Sequence, residues 1–128
     1  TTNKVVTGNS IEQIVNSYDN TILYMDYFVD SVITSLEQKK AILIYQADHS
    51  EALGEDGEYL HANDTEMAKH PACVVWYSDR FAKAYPQKIE KLIANKDKRY
   101  RTDYVFYSIL YAAGIEGEGN TPDMNIFM

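Results

Sequence analysis

A run of seven apolar or weakly polar residues, Ala41-Ile-Leu-Ile-Tyr-Gln-Ala47, breaks without transition into Asp48-His49-Ser50-Glu51. No other stretch constrains the fold as strongly. The run is aliphatic and β-branched enough to form a buried strand. Because it is apolar at nearly every position, it is expected to be covered on both faces, as in a parallel sheet. In open α/β sheets, ligands collect just beyond the carboxyl ends of strands. A strand ending in Asp-His sets a carboxylate and an imidazole at such a place. All three histidines of the chain, His49, His61 and His70, follow within one short stretch.

A helix is expected from Ser10, where Ser10 and Gln13 have the spacing of a capping box. Ile11, Ile14, Val15, Tyr18, Ile22, Met25, Val29, Val32, Ile33 and Leu36 then recur at helical period. Tyr24, Tyr27 and Phe28 are expected to add to the core. The segment from Ser50 to Pro71 carries Gly54, Gly57 and several acids and is expected to be an irregular, functional loop. A second apolar run, Ala72 to Tyr77, predicts another strand with Cys73 as an inert core thiol. Ser78 or Asp79 caps the next helix, Pro86 restarts it, and Ile89, Leu92 and Ile93 point inward. Thr102 or Asp103 caps a last helix with Val105, Phe106, Ile109, Leu110 and Ala113 on its face, ended by Gly114. Residues 1–8 lead in as loop, and Met124 to Met128 either pairs as an edge strand or docks on the core. The order helix, strand, loop, strand, helix, helix describes an α/β chain. Two strands cannot bury their own faces and edges, so it reads as part of a larger sheet.

With 128 residues, 45% of them hydrophobic, the chain can build a core. Its net charge of −7 excludes a nucleic-acid phosphate binder and a polybasic membrane-surface module. Its one cysteine excludes an internal disulfide. No run reaches the length of a membrane span, and no secretory signal pattern opens the chain. It begins Thr-Thr-Asn, which raises the expectation of a processed product or a piece of something longer.

Asp48 and His49 suit a divalent metal, while a charged histidine would instead clamp a phosphoryl oxygen. His61 and the Gly-rich loop leading to it favour a metal or phosphate site. Glu51, Glu55, Asp56 and Glu58 are either partners for the histidines or a solvated loop. Ser50 and Ser78 lack a nucleophile-elbow context, and no nucleotide-binding glycine motif is present.

Two longer motifs carry a family resemblance. Asn16-Ser-Tyr-Asp-Asn-Thr-Ile-Leu-Tyr-Met-Asp-Tyr-Phe-Val29 and Tyr45-Gln-Ala-Asp-His-Ser-Glu-Ala-Leu-Gly-Glu-Asp-Gly-Glu-Tyr-Leu-His-Ala62 resemble the helix and the post-strand motif of the sulfatase-like phosphoethanolamine transferases, in the alkaline phosphatase superfamily. Cys73 to Trp76, Thr102 to Phe106 and Met124 to Phe127 resemble later family segments. The resemblance implies one C-terminal fragment, residues 1–128, of a three-layer α/β/α sandwich with mostly parallel strands flanked by helices. It implies zinc held by Asp48 and His49, and His61 near the transferred phosphoryl group. It further implies a phospholipid donor and a lipid A or glycan acceptor, with the parent enzyme in the inner membrane and its catalytic domain in the periplasm, the fragment itself being soluble. The family's nucleophile threonine has no counterpart here, so the fragment alone is expected to be silent, its upstream part being the missing partner. Ser50 and Ala62 stand where the family keeps glycine. Other sulfatase-like enzymes, a phosphoglycerol transferase or a sulfatase, and a non-catalytic α/β binding module are the alternatives.

Overall fold

In the computed structural model, residues 8–61, 65–115, 117 and 119–128 are described. They form two compact units, one of residues up to Leu36 with Leu43–Trp76, the other of Glu37–Ile42 with Tyr77–Met128. The lead-in expected over residues 1–8 falls almost wholly outside the described residues, as does Ala62.

The first unit opens with α1, Ile11–Leu36. Its capping box forms as the spacing predicts. Ser10 N donates to Gln13 Oε1 at 2.8 Å and Gln13 N donates to Ser10 Oγ at 3.2 Å, so two orphan backbone donors are satisfied reciprocally. The helix turns Ile14, Val15, Tyr18, Met25, Val29 and Val32 inward. Tyr24, Tyr27 and Phe28 are exposed, contrary to the core position expected for them. At 3.6 residues per turn Tyr27 falls opposite that stripe and Tyr24 and Phe28 fall off its edge, and aromatic character alone does not set helical phase.

Strand β1, Ile42–Gln46, pairs with the strand Cys73–Tyr77. Ala47 N donates to Ala72 O at 3.0 Å, and Ser78 N donates to Ala41 O at 3.0 Å. Partner numbers rise on one strand as they fall on the other, so the pair is antiparallel. The expected parallel pairing is corrected. The chain between the strands returns to the same end of the sheet without a crossover helix, and only a crossover makes neighbours parallel. Every residue of β1 is half-buried rather than enclosed. Cys73 is exposed, not a core thiol. The loop after β1 is not irregular throughout. It holds β2, Ala52–Leu53, and β3, Tyr59–Leu60, paired antiparallel with Ala52 opposite Leu60 and Leu53 opposite Tyr59. The Cys73–Tyr77 strand is therefore β4. Both ladders among the described residues are antiparallel.

The second unit carries α2, Asp79–Ala84, α3, Pro86–Asn95, and α4, Tyr104–Ala112. Ser78 Oγ accepts from Phe81 N at 3.1 Å and from Ala41 N at 3.1 Å, so one hydroxyl caps α2 and holds the chain entering β1. Pro86 occupies the first turn of α3, where its missing N–H costs nothing. Helix α4 is rotated from the expected phase. Tyr104 and Ser108 are buried while Phe106 and Ile109 are exposed. Ile93 of α3 is exposed as well. The reason lies in the chain end, which docks rather than pairing as a strand. Ser108 Oγ accepts from Ile126 N at 3.2 Å, and Asn95 Nδ2 donates to the carbonyls of Ile126 at 3.1 Å and Met128 at 2.9 Å. Polar groups buried this way keep the tail's backbone satisfied while Phe127 fills the interior. No helix among the described residues is long and apolar enough to cross a membrane.

Candidate metal centre

The site lies in the first unit, just past the end of β1, and the β2–β3 hairpin completes it. Residues equidistant from the hairpin tip face one another. Extending the register by one step from Ala52 and Leu60 sets Glu51 opposite His61. His61 Nδ1 lies 2.8 Å from Glu51 Oε1. His49, held at the exit of β1, lays its ring against that of His61 with centroids 4.2 Å apart. His49, Glu51 and His61 each offer one ligand atom, all within 4.8 Å of one another.

Tautomers follow from the acceptors. His49 Nδ1 is 3.2 Å from the Ser50 carbonyl, and His61 Nδ1 faces a carboxylate. Neither neighbour can donate, so in the neutral form of each ring Nδ1 is the protonated atom and Nε2 the one with a free lone pair. His49 Nε2 stands 3.8 Å from Asp48 Oδ2. Two donors on one tetrahedral zinc, each about 2.0–2.1 Å from it, are about 3.3–3.4 Å apart. The two side chains thus point the same way, a small adjustment from sharing an ion. Asp48 is otherwise in water, its side chain 92% exposed.

Glu51 is the least solvated of these groups, 22% exposed. Its Oε1 meets His61, while its Oε2 is buried with no hydrogen-bond partner among the described residues. A buried carboxylate oxygen is costly unless a proton or a cation meets it. Two imidazoles and carboxylates are a donor set that zinc accepts. The residues present therefore fit the metal.

Gly54 turns the hairpin with φ 117°, in the region glycine favours, and a side chain there would meet the Tyr59 ring at 3.0 Å. Leu60, just before His61, is the one non-glycine residue described with positive φ, 65°. Ser50 is not strained by replacing a glycine. Its hydroxyl donates to His70 O at 3.1 Å and its N–H to Ala68 O at 3.2 Å, tying the site to the Met67–Lys69 turn. His70 is not one of the three grouped ligand residues, and its Nε2 pairs with Glu66 Oε2 at 3.5 Å.

Glu55 belongs to the hairpin tip. Its Oε2 accepts from Leu53 N at 2.6 Å. The backbone N–H groups of Glu55 and Leu53 hold its carboxyl below the usual carboxylate range. A group with depressed folded pKa adds stability above its unfolded pKa and loses it as pH falls through the folded value. The tip is therefore expected to loosen in acid, from about pH 4.3 downward. The Leu53 amide proton shift in an NMR titration should follow that change, and Glu55→Gln should abolish it. Glu58 is exposed at the tip, and the Asp56 side chain lies outside the described set.

By residue type alone Glu51 is indistinguishable from Glu55, Asp56 and Glu58, the other acids that precede His61 in its loop. The signal that singles it out is the spacing about Gly54 and Gly57, which puts Glu51 and His61 at matching distances from one turn.

Residues 1–115 match the family model described as Sulfatase. The chain belongs to the sulfatase family. It is 36% identical over 120 residues to the phosphoethanolamine transferase EptA of Salmonella typhimurium, covering 84% of this chain and 21% of the relative. It is 41% identical over 81 residues to the Kdo(2)-lipid A phosphoethanolamine 7''-transferase of Escherichia coli, covering 60% of this chain and 14% of the relative. Among solved structures it resembles the soluble domain of lipooligosaccharide phosphoethanolamine transferase A from Neisseria meningitidis, with TM-score 0.77, 31% identity, and 93% of this chain and 39% of that one covered. The chain thus spans about a fifth of the length of the curated relatives such as EptA.

Proposed function

We propose that residues 1–128 are one C-terminal portion of the catalytic domain of a zinc-dependent phosphoethanolamine transferase acting on lipid A or a related glycan. That domain is a three-layer α/β/α sandwich, and this chain supplies one part of its metal site. The enzyme takes phosphoethanolamine from a phospholipid, its catalytic domain standing in the periplasm and the parent chain in the inner membrane. The observation that carries the reading is the convergence of Asp48, His49, Glu51 and His61 at the end of β1, with a buried carboxylate oxygen left over.

Asp48 and His49 would hold the zinc, through a carboxylate oxygen and Nε2. The ion supplies positive charge that lowers the pKa of a nucleophile and offsets charge on phosphoryl oxygens. Glu51 fixes the proton of His61 on Nδ1, which turns Nε2 toward a phosphoryl oxygen or its leaving group. The hairpin brings that imidazole to the strand end, so metal-side and phosphoryl-side groups share one scaffold. The threonine nucleophile belongs to sequence outside this chain.

After dialysis against zinc-free buffer and reloading, the chain is expected to retain zinc when its metal content is measured. Asp48→Ala or His49→Ala should each weaken retention about 10-fold or more, the loss expected for removing one of few protein ligands. The chain alone should neither transfer nor hydrolyse phosphoesters. Zinc held equally well by both variants, or by none including the wild type, overturns the metal assignment and favours a non-catalytic α/β binding module. Transfer of phosphoglycerol, or sulfate hydrolysis, by the parent enzyme would instead assign it to a sibling activity of the family.

A further inference from the structure

Helix α1 has a second face. Its inward stripe runs through Ile14, Tyr18, Met25, Val29 and Val32. Outside that stripe, Leu23, Tyr24, Tyr27 and Phe28 stand at i, i+1, i+4 and i+5, exposed by 66%, 72%, 71% and 54%. Four large apolar side chains exposed within two turns exceed the scattered exposure that soluble surfaces show.

The charge distribution separates this patch from an ordinary solvent face. Of the 26 residues of α1, only Glu12, Asp19, Asp26 and Asp30 are charged, and all are acidic. At 100° per residue they fall in one strip about 40° wide along a single flank. The outer arc, about 160° wide, carries no charge at all. Above and below the patch it continues as Gln13, Asn16, Asn20, Ser31 and Thr34. A solvated helix side normally carries interspersed charge. An uncharged aromatic face bordered by acid is built to be covered by protein.

We propose that this face of α1 is the docking surface for the part of the sulfatase-like domain that lies outside this chain. The inference rests on the transferase reading above. It goes beyond that reading by naming where the rest of the domain seats and what it must present. The solved soluble domain is matched over only 39% of its length, so most of a domain of that kind is available as the occupant. Its contacting surface is apolar over the Leu23–Phe28 patch, with lysine or arginine side chains facing Asp19, Asp26 and Asp30. Two other occupants fit less well. An anionic lipid surface would be repelled by the acidic strip in a chain of net charge −7. A two-fold antiparallel pair of α1 helices would bring the same flank of each copy together, setting acid against acid.

The test uses one polypeptide in which this chain replaces its counterpart in the Neisseria meningitidis soluble domain, beside the 128-residue chain alone. Both are made with the native face and with Leu23→Glu and Tyr27→Glu together. Because these positions are exposed in the chain alone, the double substitution should move its melting temperature by less than about 2 °C, whereas in the chimera it should lower it by about 8 °C or more. Equal shifts in both proteins, or none in the chimera, overturn the proposal. So does a native-face chimera that does not fold. So does a dimer of the isolated chain in sedimentation, or its binding to phosphatidylglycerol vesicles, if the double substitution abolishes either. The zinc content of the chimera reports the transferase reading separately. Metal retained without a melting shift removes the docking surface alone, and a melting shift without metal removes the metal site alone.

Discussion

Phe127→Ala is expected to destabilise the second unit by about 3–5 kcal/mol, the range for deleting a fully buried aromatic ring. Phe127 is 1% exposed and sits between two residues whose backbones are tied down. Ile126 N donates to Ser108 Oγ, and Met128 O accepts from Asn95 Nδ2. Phe127 N itself donates to Asn125 Oδ1 at 2.9 Å. The tail is thus clamped on both sides of the ring, so the site cannot collapse freely and a cavity remains, which is the costly case. For a chain of this size the loss corresponds to a fall in melting temperature on the order of 10 °C or more. Amides of α3 and α4 should lose hydrogen-exchange protection, because Asn95 and Ser108 give up their partners together. A melting temperature within about 2 °C of the native chain would show that the docked tail contributes little.

Gly54→Val should have the largest effect on the site itself. Two costs add at one position. The backbone at φ 117° is a region that residues with a Cβ rarely enter, costing on the order of 1–3 kcal/mol. The new Cβ would also meet the Tyr59 hydroxyl oxygen at 3.0 Å and its ring carbon at 3.2 Å. β-branching makes both worse, since neither γ-carbon can turn away. Displacing Tyr59 shifts β3, and the pairing that sets Glu51 opposite His61 shifts with it. Because the His61 ring lies against that of His49, zinc retention is expected to fall about 10-fold or more, the effect typical of disturbing the groups that orient a ligand. The His61 ring resonances should move in the same variant. Gly57→Ala is the matched control, because a Cβ there meets nothing within 4 Å, although its φ of 77° still carries a backbone cost. Equal zinc retention in the Gly54→Val and Gly57→Ala variants would separate the hairpin from the metal site.

Much of the local structure was legible in the residues alone. Ser10 with Gln13 and Ser78 before α2 mark helix starts because a side-chain oxygen one turn away satisfies backbone donors that no helix satisfies for itself. Pro86 and Gly114 mark a start and an end through their own backbone geometry. The strand ending in Asp48-His49 was legible because an abrupt change from apolar to polar chemistry has few structural explanations. Each of these signals acts within a turn or two of the residue that carries it.

What the residues could not show was how each element faces its neighbours. Tyr24, Tyr27 and Phe28 read as core by composition yet stand outside, and Ser108 lies inside where Phe106 was expected. Helix α4 chose its phase to serve the Ile126 backbone, and that partner is distant in sequence. The apolar strand read as parallel, but the return of the chain to the same sheet end made its pairing antiparallel. Glu51 was one acid among several until the β2–β3 register set it against His61. Periodicity and capping are properties of one segment, so the sequence carries them unaided. Pairing direction, helix phase and the meeting of Glu51, His49 and His61 are properties of two or more segments, and only their packing, which weighs burial against unsatisfied polar groups, could decide them.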